Sequence, residues 1–283
     1  MFRGEGGGES MELKNKVAVI TGGASGIGRA VCEELARREV RAIGVVDQDA
    51  ATAEVCEEID QRSGREVAFA FHGDVVDGSF REHVFSELEQ RFGAVRLCVP
   101  AAGITRDRLS VKVEQLNGRP RARVYDEEDF RRVIDVDLVA PIYWALRMVA
   151  SVAEERTRQG RGRWEPQESN QGAVVLIGSV SSAGNRGQIS YATAKAGLEG
   201  AQATLATEAI FFGVRCAIIH PGFTDTPMVR ALGEEIIREK VLPNTQLRRL
   251  IRPTEIAEAI CFMLSNSSVS GALWADAGWH PSA

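Results

Sequence analysis

The chain has 283 residues, 44% hydrophobic and 26% charged, with a formal net charge of −5 at pH 7. That is the size and make-up of one α/β globular domain, or of two smaller ones. The acidic balance argues against nucleic acid as a partner, and the best apolar stretch, 138–150, is interrupted by Pro141 and Arg147 and is far short of the ~20 residues a membrane span needs.

The opening MFRGEGGGES has no apolar run of the kind that directs secretion, so residues 1–12 are expected to be a flexible, glycine-rich leader before a single domain over 13–283. Short apolar runs follow at 16–20, 41–46, 66–71, 95–100, 173–177, 214–219 and 272–274. Most are nearly continuous in aliphatic residues, as strands buried on both faces are. Helical patterns separate them at 27–38, 50–63, 78–92, 127–153, 189–212 and 254–264. Such alternation predicts a parallel sheet with helices on both faces. Two polar, arginine-rich stretches, about 106–125 and 154–171, break the rhythm. They are expected to be irregular insertions, both flanking the functional side of the sheet.

Five cysteines (Cys32, Cys56, Cys98, Cys216, Cys261) stand singly, which suits reduced thiols in the cytoplasm better than a disulfide framework. The four histidines are isolated and show no ligand spacing, so no metal site is expected.

After the first strand comes Thr21-Gly22-Gly23-Ala24-Ser25-Gly26-Ile27-Gly28, running into a helix. Gly22 permits a tight turn, Gly26 lets backbone approach a pyrophosphate, and Gly28 allows close packing of helix on strand. The helix N-terminus offers free N–H groups to the phosphates. Asp47 closes the next strand nineteen residues beyond Gly28, where a ribose-binding carboxylate is expected. A carboxylate there repels a 2′-phosphate, and Ser25 and Gln48 stand where a phosphate binder would use arginine, so NAD is favoured over NADP. The plainer alternatives are a glycine-rich turn without a ligand, and an Asp47 that caps the helix beginning near Ala50.

Tyr191 and Lys195 are four residues apart in a helical segment and therefore share a face. An ammonium beside a phenol lowers the phenol's pKa toward working pH, as a general acid/base for an alcohol or ketone requires. Ser179 ends the fifth strand, where its hydroxyl can hold a substrate oxygen. Read alone, such a Tyr–Lys pair is an ordinary surface contact.

Together these motifs resemble the short-chain dehydrogenase/reductase family, in its one-domain type, from about residue 14 to 278. TGGASGIG matches its glycine loop and Tyr191 with Lys195 its YxxxK pair. Asp74-Val75 match its adenine-contacting pair, and Pro221, Gly222, Thr224 and Thr226 its nicotinamide segment. GNRGQ and HPGFTDTPM are similar to segments of 3-oxoacyl-carrier-protein reductases and related alcohol dehydrogenases. The resemblance implies a single-domain Rossmann fold with a seven-stranded sheet, hydride transfer between a nicotinamide dinucleotide and a secondary alcohol or ketone, and a homotetramer or homodimer. It also implies that Ile27, Ala102, Gly103, Tyr191 and Lys195 contact the dinucleotide.

Three departures stand out. Pro100-Ala101-Ala102-Gly103 replaces the family's N-N-A-G, removing an asparagine that ties neighbouring strands. Ser179 lies twelve residues before Tyr191 rather than the commoner thirteen, which leaves Ser181 as a substitute. Asp137 stands where the family has an asparagine that holds a water, through its main-chain carbonyl, in a relay from the lysine. Pro141 brings no N–H to the Asp137 carbonyl, so the helix should kink there with that carbonyl free, and the relay should survive. A close, ionised carboxylate would also raise the Lys195 pKa. The alternative is a broken relay and a slow or inactive protein.

Met228, Leu232, Ile236, Leu242 and Leu247 mark either an apolar lid over the substrate or simple core, and Arg106, Arg108, Arg119, Arg121 and Arg123 either an anion grip or a solvated run. Trp164 should anchor a subunit contact or its own loop, while Trp274 and Trp279 should pack near the last strand. The leading reading is an NAD(H)-dependent oxidoreductase acting on a secondary alcohol or ketone. A 3-oxoacyl-thioester reductase, usually an NADPH enzyme, is the alternative. A dinucleotide-binding sensor or scaffold without turnover is the alternative of another class.

Overall fold

The computed structural model describes residues 11–279. Nine strands occur among them: β1 (Val17–Thr21), β2 (Ala42–Asp47), β3 (Ala68–His72), β4 (Val95–Pro100), β5 (Val111–Leu116), β6 (Arg119–Val124), β7 (Gly172–Ile177), β8 (Val214–Pro221) and β9 (Gly271–Ala275). Seven form one parallel sheet in the order β3-β2-β1-β4-β7-β8-β9, while β5 and β6 pair only with each other. The main helices are α1 (Gly26–Arg37), α2 (Thr52–Ser63), α3 (Gly78–Phe92), α4 (Glu127–Ile134), α5 (Ala140–Arg158), α6 (Ile189–Glu208) and a last one at Pro253–Ser265.

Every residue of β1, β7 and β8 is buried, because helices cover both faces. On one face Val31 and Leu35 of α1, Ile59 of α2 and Ile260 of the last helix meet the sheet. On the other, Phe85 and Leu88 of α3, Trp144 and Met148 of α5 and Leu198 of α6 do so. All five cysteines lie in these layers, buried and unbridged. This is the expected single-domain Rossmann arrangement. Strand order reverses between β1 and β4, whose last residues Thr21 and Pro100 are register partners. Crevices open at the carboxyl ends of strands at such a reversal.

Four expectations need correction. Met11 is buried and donates its N–H to the Ser265 carbonyl at 2.8 Å, so packing includes a residue of the expected leader; residues 1–10 lie outside the described ones. The segment 106–125 is not irregular: β5 and β6 form a hairpin whose two turn residues, Asn117 and Gly118, have φ of 51° and 74°. Both left-handed positions suit an Asn-Gly turn, which matches the twist of the flanking strands. The segment 154–171 begins as the end of α5 and finishes beside Gly213, where Gln171 N–H donates to the Gly213 carbonyl at 2.8 Å. It therefore lies at the amino ends of β7 and β8, away from the crevice. Finally, the run 127–153 is not one continuous α-helix. It passes through a π-helical turn, Asp135–Val139, closed by Ala140 N–H on the Asp135 carbonyl. A wider turn absorbs the donor that Pro141 lacks without ending the helical run.

Candidate active site

The chain leaves β1 and turns at Gly22, φ +66°, where an added Cβ would stand 2.7 Å from Ala102 N. A Cβ on Gly28 would stand 2.1 Å from the Gly22 carbonyl oxygen, so only glycine lets α1 pack on the loop. No side chain caps α1, and no acid lies in its first turn. Its N-terminal N–H groups thus face the crevice with their partial positive charge uncompensated, the surroundings that a diphosphate requires.

Asp47 lines this crevice and ties it together, Oδ2 accepting from Ala24 N–H at 3.0 Å and Oδ1 from Asp49 N–H at 3.2 Å. It is not the cap of α2, since Asp49 takes the Ala51 N–H at 2.9 Å. Asp74 accepts from Val76 N–H and pairs with Arg132 at 2.9 Å, while Trp144 Nε1 donates to the Val75 carbonyl at 2.9 Å.

Two adjoining clefts hold nearly all the residues singled out in the sequence. The first, about 350 Å³, is lined by Gly22, Ser25, Gly26, Ile27 and Gly28 of the glycine loop, by Asp47, Gln48, Asp74, Val75, Ala102 and Gly103, and by Tyr191, Lys195 and Thr226. The second, about 140 Å³, is lined by Ser179, Ser181, Tyr191, Pro221, Gly222, Thr224 and Thr226. Tyr191, Ile27, Ile177, Thr226 and Met228 line both, so the clefts are continuous. Asp137 lines neither and is buried behind them.

Ser179 Oγ accepts from Ser181 N–H at 3.0 Å, and Ser179 is one of the groups that favour the ionised Tyr191 phenol. Ser181 Oγ donates to Gln188 Oε1 at 2.8 Å. Behind Ser179, buried His220 stacks on Trp274 with centroids 4.3 Å apart, and its Nδ1 donates to the Ser179 carbonyl at 3.1 Å. Burial pulls the His220 pKa down, which keeps the ring neutral.

Lys195 Nζ lies 5.4 Å from the Tyr191 ring centroid and donates to the Ile177 carbonyl at 3.1 Å. It stands 3.4 Å from Asp137 Oδ2, an ion-pair contact outside hydrogen-bond geometry. Asp137 Oδ1 accepts from Ile104 N–H at 2.9 Å. Burial pushes the Asp137 carboxyl up from its usual range, opposed first by the Lys195 ammonium and then by Ile104. The Tyr191 phenol is likewise raised, contrary to the expectation from Lys195 alone. Burial outweighs the ammonium, and the Asp137 carboxylate adds to the rise.

Residues 16–236 match the short chain dehydrogenase family. The chain belongs to that family. It is 35% identical over 268 residues, 93% of this chain and 96% of the relative, to a 3-oxoacyl-[acyl-carrier-protein] reductase of Pseudomonas aeruginosa. The protein of that name in Vibrio harveyi is 31% identical over 256 residues, covering 90% and 92% of the two chains. A (3R)-3-hydroxyacyl-CoA dehydrogenase of Rattus norvegicus is 30% identical over 266 residues, covering 91% and 92%. The protein is thus a nicotinamide-dinucleotide-dependent oxidoreductase acting between alcohol and keto groups.

In this dehydrogenase Thr21 ties β1 to the chain leaving β4, its carbonyl accepting from Ala101 N–H at 3.1 Å and its Oγ1 from Ala102 N–H at 3.2 Å. Among the wall residues that sequence reasoning missed are Arg132, Asp107 and Gln188. Arg132 reaches the first cleft from α4. In the second, Asp107 accepts from Gln188 Nε2 at 2.8 Å. GNRGQ signals Gln188 in the sequence; nothing local signals the other two. Of the expected lid, Met228 and Leu232 line the second cleft, whereas Ile236 and Leu247 are exposed. Among the described residues no His/Cys/Asp/Glu cluster could hold a metal ion, and no helix is long and apolar enough to cross a membrane.

Proposed function

We propose that the protein is an NAD(H)-dependent dehydrogenase/reductase in which Tyr191 moves the proton, Lys195 supplies the neighbouring positive charge and Ser179 orients the substrate oxygen. The observation that carries this reading is the meeting of the two clefts at Tyr191, with Lys195 on one side and Ser179 on the other. The glycine cradle fits a dinucleotide diphosphate, and when bound the nicotinamide supplies or accepts the hydride. Tyr191 gives its hydroxyl proton to the nascent alkoxide in reduction and recovers it from the alcohol in oxidation. Asp47 on the wall of the first cleft supports NAD over NADP, because it would repel a 2′-phosphate.

The second cleft carries Phe223, Met228, Val229 and Leu232 opposite Gln188 and Asn185. This mix of aliphatic and amide groups supports a ketone with an apolar arm. The named activities of the relatives favour one class within that set, a 3-oxoacyl or 3-hydroxyacyl thioester. Five reduced, buried cysteines support a cytoplasmic setting. An exposed stripe of Val139, Tyr143 and Leu146 supports a homotetramer or homodimer.

The test is turnover of NADH and NADPH, read from near-ultraviolet absorbance, across ketones that include 3-oxoacyl thioesters. NADH should be preferred. Tyr191→Phe should lower kcat by roughly 10²–10⁴-fold with NADH affinity retained. A Tyr191→Phe protein as fast as the wild type, or a clear preference for NADPH, contradicts the assignment.

A further inference from the structure

We propose that Asp137 is a positioning residue whose carboxylate holds Lys195 by charge and so weakens the pull of that ammonium on the Tyr191 phenol, biasing the site toward proton donation in carbonyl reduction. This rests on the functional reading above and adds to it a preferred direction.

The carboxylate has little freedom. Oδ1 is held by Ile104 N–H at 2.9 Å, and the wall at Gly103 is so close that a Cβ there would stand 3.0 Å from Oδ2. Oδ2 has no hydrogen-bond partner, is buried, and faces the Lys195 ammonium at 3.4 Å. The π-turn Asp135–Val139 carries Asp137 to this point, packed against α6. A neutral amide at this position would give the ammonium no counter-charge. With Asp137 ionised, the phenol faces a close ion pair instead of an isolated cation, and the field of such a pair falls off faster with distance.

The groups that act on the phenol come from four elements. They are Lys195 of α6 itself, Asp137 of the π-turn, Ser179 after β7, and Asp107 after β4. Lys195 and Ser179 favour the phenolate; burial and the two carboxylates favour the phenol.

In reduction the carbonyl carbon gains hydride, and the C=O π pair moves onto oxygen. That oxygen takes the Tyr191 hydroxyl proton, leaving a phenolate that water reprotonates. A phenol that keeps its proton is ready for this step. The reverse step needs the phenolate and is favoured only in alkali.

The experiment is a titration of phenolate absorbance in the protein without dinucleotide. The chain has three tyrosines, Tyr125, Tyr143 and Tyr191, and Tyr191→Phe identifies the relevant phase. In the wild type that phase should lie above the ordinary tyrosine value of about 10. In Asp137→Asn it should fall by about one unit, a tenfold rise in acidity. The alkaline limb of kcat/KM for alcohol oxidation should fall with it. In a Lys195→Met background, Asp137→Asn should move little, because burial raises the Asp137 carboxyl and, without the ammonium that opposes this, it takes up a proton and carries no charge to remove. An unmoved or rising phase in Asp137→Asn overturns the proposal. So does a wild-type phase below the ordinary value, a measurement that needs no variant at position 137 to fold. A shift without turnover on any carbonyl supports the electrostatic role and sinks the functional reading; turnover without a shift does the opposite.

Discussion

Residues 106–125 and 154–171 are alike in composition and opposite in how they are held. In the first, all twelve residues of β5 and β6 are exposed. The register puts Val111, Val113, Ala122 and Val124 on one face and Lys112, Glu114, Arg121 and Arg123 on the other. Only the base is fastened, by Arg108 N–H on the Gly187 carbonyl at 2.8 Å and by Arg106 and Arg108 on Asp129. In the second, the Arg156 side chain is 2% exposed. It donates to the Gly162 carbonyl at 2.9 Å and to both Glu168 oxygens, while Trp164 packs on Gly213 and donates to the Ser169 carbonyl. Arginine content alone therefore does not mark a solvated loop. A guanidinium goes inside where a carbonyl and a carboxylate are already placed to meet it. Trp164 anchors its own loop, one of the two roles expected of it.

Removing Arg156 should break this contrast most strongly. Arg156→Ala should cost about 2–4 kcal/mol in denaturant unfolding, because it leaves the Gly162 carbonyl and Glu168 without their donor. NADH affinity should not change, since the loop lies at the amino ends of the strands. A smaller effect is expected from pH. Arg156 holds the Glu168 carboxyl down at about 2. Its folded value is thus below the unfolded one of about 4.3, so the stabilisation is fully present above pH ~4.3 and is lost as pH falls through about 2. The gap in unfolding midpoint between wild type and Glu168→Gln should narrow across that window, and a gap that stays constant would refute the coupling. The smallest effect belongs to the hairpin. Tyr125 N–H donates to the Ser110 carbonyl at 2.8 Å, so residues 111–124 can be replaced by a short glycine link. Tm should move by no more than about 2 °C, because a lone two-stranded ribbon adds little stability. Lost carbonyl turnover with an intact fold would sharpen the comparison by giving the hairpin a part in substrate handling.

The sheet was legible because its central strands are buried on both faces and so read as unbroken aliphatic runs. The cradle was legible because only glycine satisfies Gly22 and Gly28, and the Tyr191–Lys195 pair because one helical turn joins them. The hairpin carried its signal too, Asn117-Gly118 between alternating residues, but five arginines in 106–125 drew the reading toward a loop. Arg132 and Asp107 enter the clefts through long-range packing, and the contact of Asp137 with Lys195 spans two helical segments. No local pattern encodes such distances. The net rise of the Tyr191 pKa was missed for a related reason: the sequence shows the cation, whereas burial and the second charge exist only in the folded chain.

The buried cysteines have a practical consequence. Cys32, Cys56 and Cys261 lie in the layer with α1, and Cys98 and Cys216 in the layer with α5. Burial pushes the Cys56 and Cys216 thiols up to about 12, so they are neither exposed nor ionised in the native fold. Alkylating reagents can reach these sulfurs only in molecules that have opened. Mass spectrometry of which thiols are modified first would therefore reveal which side of the sheet is uncovered earlier, with no probe added to the chain.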